Sequence, residues 1–419
     1  MTSPSPVNAT TEADRSAPAP ALSSPNGNGS MSHGKAPEVP ANTAGHVHLD
    51  PDVKHDPHAT RFGDFLKAAI KFGASDLIMK TGKPPTVRLR GALKVLDTPP
   101  VTMEEFVSIT KHILDEEQMA DLHKYGSVDF AYDYDESNRF RVNLFQARGK
   151  LSVAARLITS NIRKFEELYL PQIMADIAMQ PQGIVLLSGV TGSGKSTTIA
   201  AMLDYVNERK PVHIITIEDP IEYIFTDKKA IINQREIGID CLDFKIALRA
   251  LVRENPDVVL VGEMRDNETF EAALHAAETG HLVFGTIHAS STTQTFSRIY
   301  GLFEQEEVEQ VRRILAYQMR AFVYQKLLPT LHAHIPRIPG LEILVNNGVV
   351  RKAVLEGREG ELREFLKSIE ARQSGMIDFN GSLVDLVERE MISLRVAEEA
   401  TPNIDEFRMR LKKMGGANR

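Results

Sequence analysis

The chain has 419 residues, 42% of them hydrophobic and 25% charged, with a formal net charge of −7 and a sequence pI of about 6.0. That is enough apolar chain for two or three globular domains, and no overall basic field draws it to nucleic acid or lipid head groups. Cys241 is the single cysteine, which excludes an intrachain disulfide framework and any four-cysteine zinc module and points to a reducing compartment.

No apolar run approaches the roughly 18 residues that a spanning helix needs. The N-terminus lacks the basic head and apolar stretch of a signal peptide. A cytoplasmic location is expected, with membrane contact only through a partner. Residues 1–60 hold nine of the 22 prolines among Ser, Asn, Gly and Ala, with few large apolar side chains. Such a segment cannot bury enough surface to offset its ordering entropy, so a disordered tail is expected. His33, His46, His48, His55 and His58 also fall there, in a spacing that matches no standard metal-ligand pattern.

Residues 61–162 read as one small α+β domain. Phe65, Leu66, Ala69 and Ile70 make the apolar face of a helix that Gly73 ends. Strands are expected at 77–79, 87–89 and 93–96, helices at 104–114 and 116–124, and alternating strands at 128–134, 139–146 and 151–158. Residues 163–171 are expected to act as a hinge. From 172 to 375 the chain alternates apolar strand, glycine loop and helix. The continuous apolar runs at 184–187, 213–217, 258–261 and 282–286 suit strands buried on both faces of a mostly parallel sheet. Beyond about Glu304 the sequence is expected to be mainly helical. Residues 376–419 read as C-terminal helices with a charged tail.

Gly189-Val190-Thr191-Gly192-Ser193-Gly194-Lys195-Ser196 matches the P-loop pattern at every specified position, after an apolar strand and at the start of a helix that Thr197 continues. The glycines let backbone N–H groups converge on phosphate oxygens, and the helix N-terminus adds a favourable dipole. Lys195 would reach the outer phosphates of ATP, and Ser196 would offer its hydroxyl to Mg²⁺. Hydrolysis also needs a carboxylate to activate water and a second one to hold the hydrated metal. Glu218, Asp219 and Glu222 follow one apolar run, and Glu263 follows another, with Gly262 standing where an aspartate is expected in such a segment.

In order along the chain come the P-loop, Ile217-Glu218-Asp219-Pro220-Ile221-Glu222, Val261-Gly262-Glu263-Met264-Arg265-Asp266 and the stretch from Ala277 to His288. This set resembles the Walker A, Asp box, Walker B and His box of secretion and pilus motor ATPases, and most of all their type IV pilus retraction branch. The resemblance implies an α/β fold: a RecA-like P-loop domain with a mostly parallel sheet, preceded by a small α+β, PAS-like domain and followed by C-terminal helices. It implies Glu222 as general base with Glu218 as runner-up, Glu263 holding Mg²⁺ through water, and His288 sensing the γ-phosphate. His281, Glu278 and Gly280 would shape the turn before it. Six subunits would form a ring, with Arg139, Arg141, Arg253, Arg265 and Arg298 as candidates to reach the phosphates, some from a neighbour.

Retraction is favoured by the one small domain ahead of the P-loop and the absence of a four-cysteine zinc site; the segment at 349–355 resembles the Ala-Ile-Arg motif of that branch only loosely. The implied action is ATP hydrolysis that removes pilin through an inner-membrane platform protein and so powers twitching motility. A pilus assembly or type II secretion ATPase, and a nucleotide-binding accessory subunit without useful turnover, are the alternatives. A nucleic-acid partner is not expected.

Overall fold

A computed structural model describes residues 57–417 apart from Arg90, Glu136 and Ser137. The expected tail lies outside the described residues as far as 56; its last four residues, 57–60, belong instead to a helix. Helix α1 (Pro57–Phe72) begins on a proline, whose fixed φ and missing N–H suit a first helical turn. Gly73, with φ of 63°, ends it.

Three short strands follow, β1 (Asp76–Lys80), β2 (Thr86–Leu89) and β3 (Ala92–Val95), then helices α2 (Met103–Ile113) and α3 (Glu116–Tyr125). Both helices start on capping boxes, Thr102 with Glu105 and Asp115 with Gln118. Strands β4 (Ser127–Asp135), β5 (Asn138–Ala147) and β6 (Lys150–Ile158) complete an antiparallel sheet of order β3-β2-β1-β6-β5-β4. Along β5, Phe140, Val142 and Leu144 point into the core with Phe62, Leu66, Phe106 and Ile109. The period-2 alternation puts Arg139 and Arg141 on the opposite face. Arg141 stands in register with Arg156 of β6.

The second sheet is assembled from α4 (Ile173–Ala178), β7 (Gly183–Ser188), α5 (Lys195–Asn207), β8 (His213–Glu218), β9 (Ile231–Glu236), α6 (Phe244–Glu254), β10 (Val258–Val261), α7 (Asn267–Glu278), β11 (Leu282–Ile287), α8 (Thr292–Tyr300), α9 (Val308–Gln318), β12 (Met319–Pro329) and β13 (Arg337–Val345). Its order is β13-β12-β7-β11-β10-β8-β9, parallel throughout except for the β12–β13 pair. Strand β7 shows why these runs lack polar positions. Ile184 and Leu186 enter one core with Phe270, Phe296 and Leu315, while Val185 and Leu187 enter the other with Met174, Ile199 and Leu203. Helices cover both faces, so every side chain of the strand is buried. Helices α10 (Gly348–Leu355), α11 (Leu362–Phe365), α12 (Ile369–Gln373), α13 (Phe379–Glu388), α14 (Leu394–Ala400) and α15 (Ile404–Ala417) close the chain.

The expectation of a mainly helical chain beyond Glu304 is corrected by β12 and β13. Strand β12 mixes Arg320, Gln325 and Lys326 with apolar residues and is mostly buried, so it shows no strict alternation to separate it from a helix. Strand β9 also went unread as a strand, because it is a partly exposed edge carrying Asn233, Gln234 and Arg235.

Candidate active site

The P-loop turns sharply out of β7. Gly189, Gly192 and Gly194 have φ of 146°, 75° and 88°, conformations that L side chains rarely adopt. At Gly189 space is also closed, since a Cβ would collide with the Gln325 carbonyl and sit 2.7 Å from Ser193 Oγ. Helix α5 opens at Lys195 with no side-chain cap, so its first N–H groups remain for a ligand. Lys195 Nζ donates to the carbonyls of Gly189 at 2.9 Å and Val190 at 3.2 Å. Burial holds its pKa below the usual lysine value, opposed by the Glu263 carboxylate. Thr197 Oγ1 lies 2.7 Å from the Tyr223 hydroxyl, which ties the helix to the acidic loop.

That loop leaves β8 at Glu218. Its Oε1 accepts from Thr216 Oγ1 at 2.7 Å and Gln234 Nε2 at 3.4 Å, and its Oε2 accepts from the Glu222 backbone N–H at 3.4 Å. Glu218 is 7% exposed, and burial pushes its pKa up to about 7. Glu222 is exposed beside it. Beyond β10, Glu263 pairs with Arg265 Nη2 at 2.6 Å and His288 Nε2 at 3.1 Å. The hydrogen bond from Arg265 is the main reason its pKa lies below the usual value. The unexpected Gly262 has a steric explanation: a Cβ there would lie 3.2 Å from both Glu218 Cα and the Ile217 carbonyl. Thr191, Gly192, Gly194, Lys195, Ser196, Thr197, Glu218, Glu222, Glu263, Arg265 and His288 all line one cavity of about 510 Å³. A lysine, four carboxylates (Asp219 lines the cavity too) and a histidine gathered over a helix N-terminus suit a triphosphate and its hydrolysis.

Comparison with known proteins agrees. The type II/IV secretion system protein family matches residues 53–375. The chain is similar to the type IV pilus retraction ATPase PilT of Pseudomonas aeruginosa, at 38% identity over 82% of this chain and 99% of that one. It is also similar to a twitching motility protein of Neisseria gonorrhoeae, at 40% identity over 77% and 86%. Among solved structures, the pilus retraction motor PilT with bound ADP superposes with a TM-score of 0.76 and 41% identity, over 82% of this chain and 98% of that one. The chain belongs to the type II/IV secretion ATPase family. Within it, the likeness is to the retraction motors that drive twitching motility, and the chain is an ATPase.

The remaining expected residues of this secretion ATPase lie in the loop itself, in other contacts or away from the cavity. Gly189 and Val190 begin the loop, with Val190 64% exposed, and Ser193 is buried beneath it. Arg141, Arg253 and Arg298 are exposed and do not line the cavity of their own chain. Arg139 is spent elsewhere, with Nη2 3.7 Å from Glu236 and Nε 3.6 Å from Asp133. His281 shapes its turn, with Nδ1 2.8 Å from the Ala276 carbonyl. Three arginines that the sequence reading passed over do line the cavity: Arg156 of β6, Arg163 and Arg337 of β13. Arg156 carried a signal in the alternation of β6, while Arg163 and Arg337 lie in segments with no pattern to mark them.

The raised pKa of Glu218 makes the stability of the ATPase depend on pH. Folded Glu218 keeps a proton that the unfolded chain releases between about pH 4.5 and about pH 7. Stability therefore falls as pH rises through that window, by roughly 3 kcal/mol from this group. Glu218→Gln, which cannot ionise, is expected to flatten that part of the pH profile of thermal unfolding. An unchanged profile would contradict the assignment.

Proposed function

We propose that ATP hydrolysis in a six-subunit ring of this chain drives retraction of a type IV pilus through an inner-membrane platform protein. The observation that carries the reading is the single cavity in which Lys195 meets Glu218, Glu222, Glu263 and His288. Among the described residues no helix is long and apolar enough to cross a membrane, which fits a motor held at the cytoplasmic side of the inner membrane by its partners.

Lys195 and the N–H groups of the loop hold the outer phosphates. Glu222, exposed and on the cavity wall, takes a proton from the attacking water. Glu218 positions it by anchoring the Glu222 backbone. His288 and Arg265 stand beside Glu263 to sense or balance charge at the γ-phosphate. The Ser196 hydroxyl and the Glu263 carboxylate are hard oxygen donors of the kind Mg²⁺ takes alongside substrate phosphates, and would hold it. Bound there, Mg²⁺ would neutralise charge building on the phosphate oxygens. Residues 61–162 form the arm, residues 163–171 its hinge and residues 172–375 the motor core, with 376–419 closing the chain. Arg141, Arg253 and Arg298, exposed and away from the chain's own cavity, are the candidates to act on a neighbour's nucleotide.

Deleting the gene is expected to abolish twitching and leave cells with excess pili. Loss of pili or blocked export would instead indicate an assembly or secretion motor, and unchanged pili and motility would refute the proposal.

A further inference from the structure

Gln325 sits in the middle of β12 and is 2% exposed. Its side-chain Nε2 donates to the Ser193 carbonyl at 2.8 Å. Its Oε1 accepts from Thr198 Oγ1, also at 2.8 Å. One amide thus joins the last part of the P-loop to the first turn of the helix that the loop feeds. The orientation is forced, because a carbonyl can only accept and so must face the NH₂ group. Gln325 reaches the other end of the loop as well. Its backbone carbonyl occupies the space that a Cβ on Gly189 would need, and its Nε2 lies 2.7 Å from where a Cβ on Gly194 would stand.

We propose that Gln325 is a positioning residue for the phosphate-binding loop, setting nucleotide affinity through Ser193 and Thr198 without touching the nucleotide. The loop binds through the aim of its backbone N–H groups, and a few tenths of an ångström of drift at Ser193 moves several of them together. An apolar side chain of the same volume would leave the Ser193 carbonyl and the Thr198 hydroxyl without this partner, and the loop would relax to find others. Strand β12 also lies in register beside β7, with Tyr324 opposite Ser188. The loop is therefore held at its root by the sheet and where it runs into the helix by this amide. A residue that merely fills the core would affect stability alone, whereas a positioning residue separates KM from kcat.

The test uses the purified full chain, with steady-state ATPase and ADP titration on Gln325→Met, Gln325→Glu and Thr198→Val. Gln325→Met is expected to raise both the KM for ATP and the Kd for ADP about tenfold, while kcat at saturation falls less than about threefold. Gln325→Glu sets an oxygen against the Ser193 carbonyl and is expected to lose more. Thr198→Val should shift KM in the same direction, and the Gln325→Met/Thr198→Val pair should be no worse than Gln325→Met alone, because both act through one contact. KM and ADP Kd within about twofold of wild type for Gln325→Met would overturn the proposal. If Gln325→Met does not fold, Thr198→Val decides: a clear rise in KM with kcat kept supports it, and an unchanged KM overturns it.

Discussion

Lys195→Ala is expected to leave the fold intact and abolish useful nucleotide binding. The Lys195 ammonium donates to carbonyls of its own loop, those of Gly189 and Val190. Its burial keeps it poorly solvated, so a phosphate oxygen is a better partner than the carbonyls it holds. Two charge-assisted hydrogen bonds to the outer phosphates would contribute about 3–4 kcal/mol together. Their loss corresponds to roughly 10²–10³ in affinity. ATPase at ordinary ATP concentrations should therefore fall by at least about 100-fold, while the unfolding temperature stays near that of wild type. Retained ATP binding in a folded Lys195→Ala variant would show that the loop is not the phosphate cradle.

Glu222→Gln is expected to separate binding from turnover. The substitution keeps size and position but removes the proposed base, so ATP should bind about as in wild type while hydrolysis slows by about 10²–10⁴. Glu218→Gln should cost less, about tenfold, because Glu218 acts through the Glu222 backbone and the Thr216 hydroxyl. The opposite order has a physical case too, since a carboxylate with a pKa of about 7 is well matched to proton abstraction near neutrality. If Glu218→Gln proved the slower variant, and the acid limb of the wild-type rate profile vanished with it, Glu218 would be the base.

The P-loop was legible from sequence because its chemistry is local: three glycines in strained conformations, a lysine and a hydroxyl must follow one another within a few residues. The acidic segments were legible for a similar reason, as each sits where a buried strand stops. What escaped reading were residues brought to the site with no local motif to mark them. Gln325 lies more than a hundred residues from Ser193, on a strand whose apolar pattern did not distinguish it from a helix. Arg337 starts the antiparallel edge strand beside it. Arg163 sits in the segment between the two sheets, where no periodicity aims a side chain. Gly262 could be noticed in the sequence but not explained, because its reason is the approach of the Glu218 backbone from the neighbouring strand.

The most direct measurement is a structure of Glu222→Gln with ATP and magnesium. The terminal phosphate should lie between Lys195 and the loop from Glu218 to residue 222, with Glu263 and His288 facing it. A nucleotide seated outside the cavity, or carboxylates at 218, 222 and 263 all turned away from the phosphate, would contradict the account.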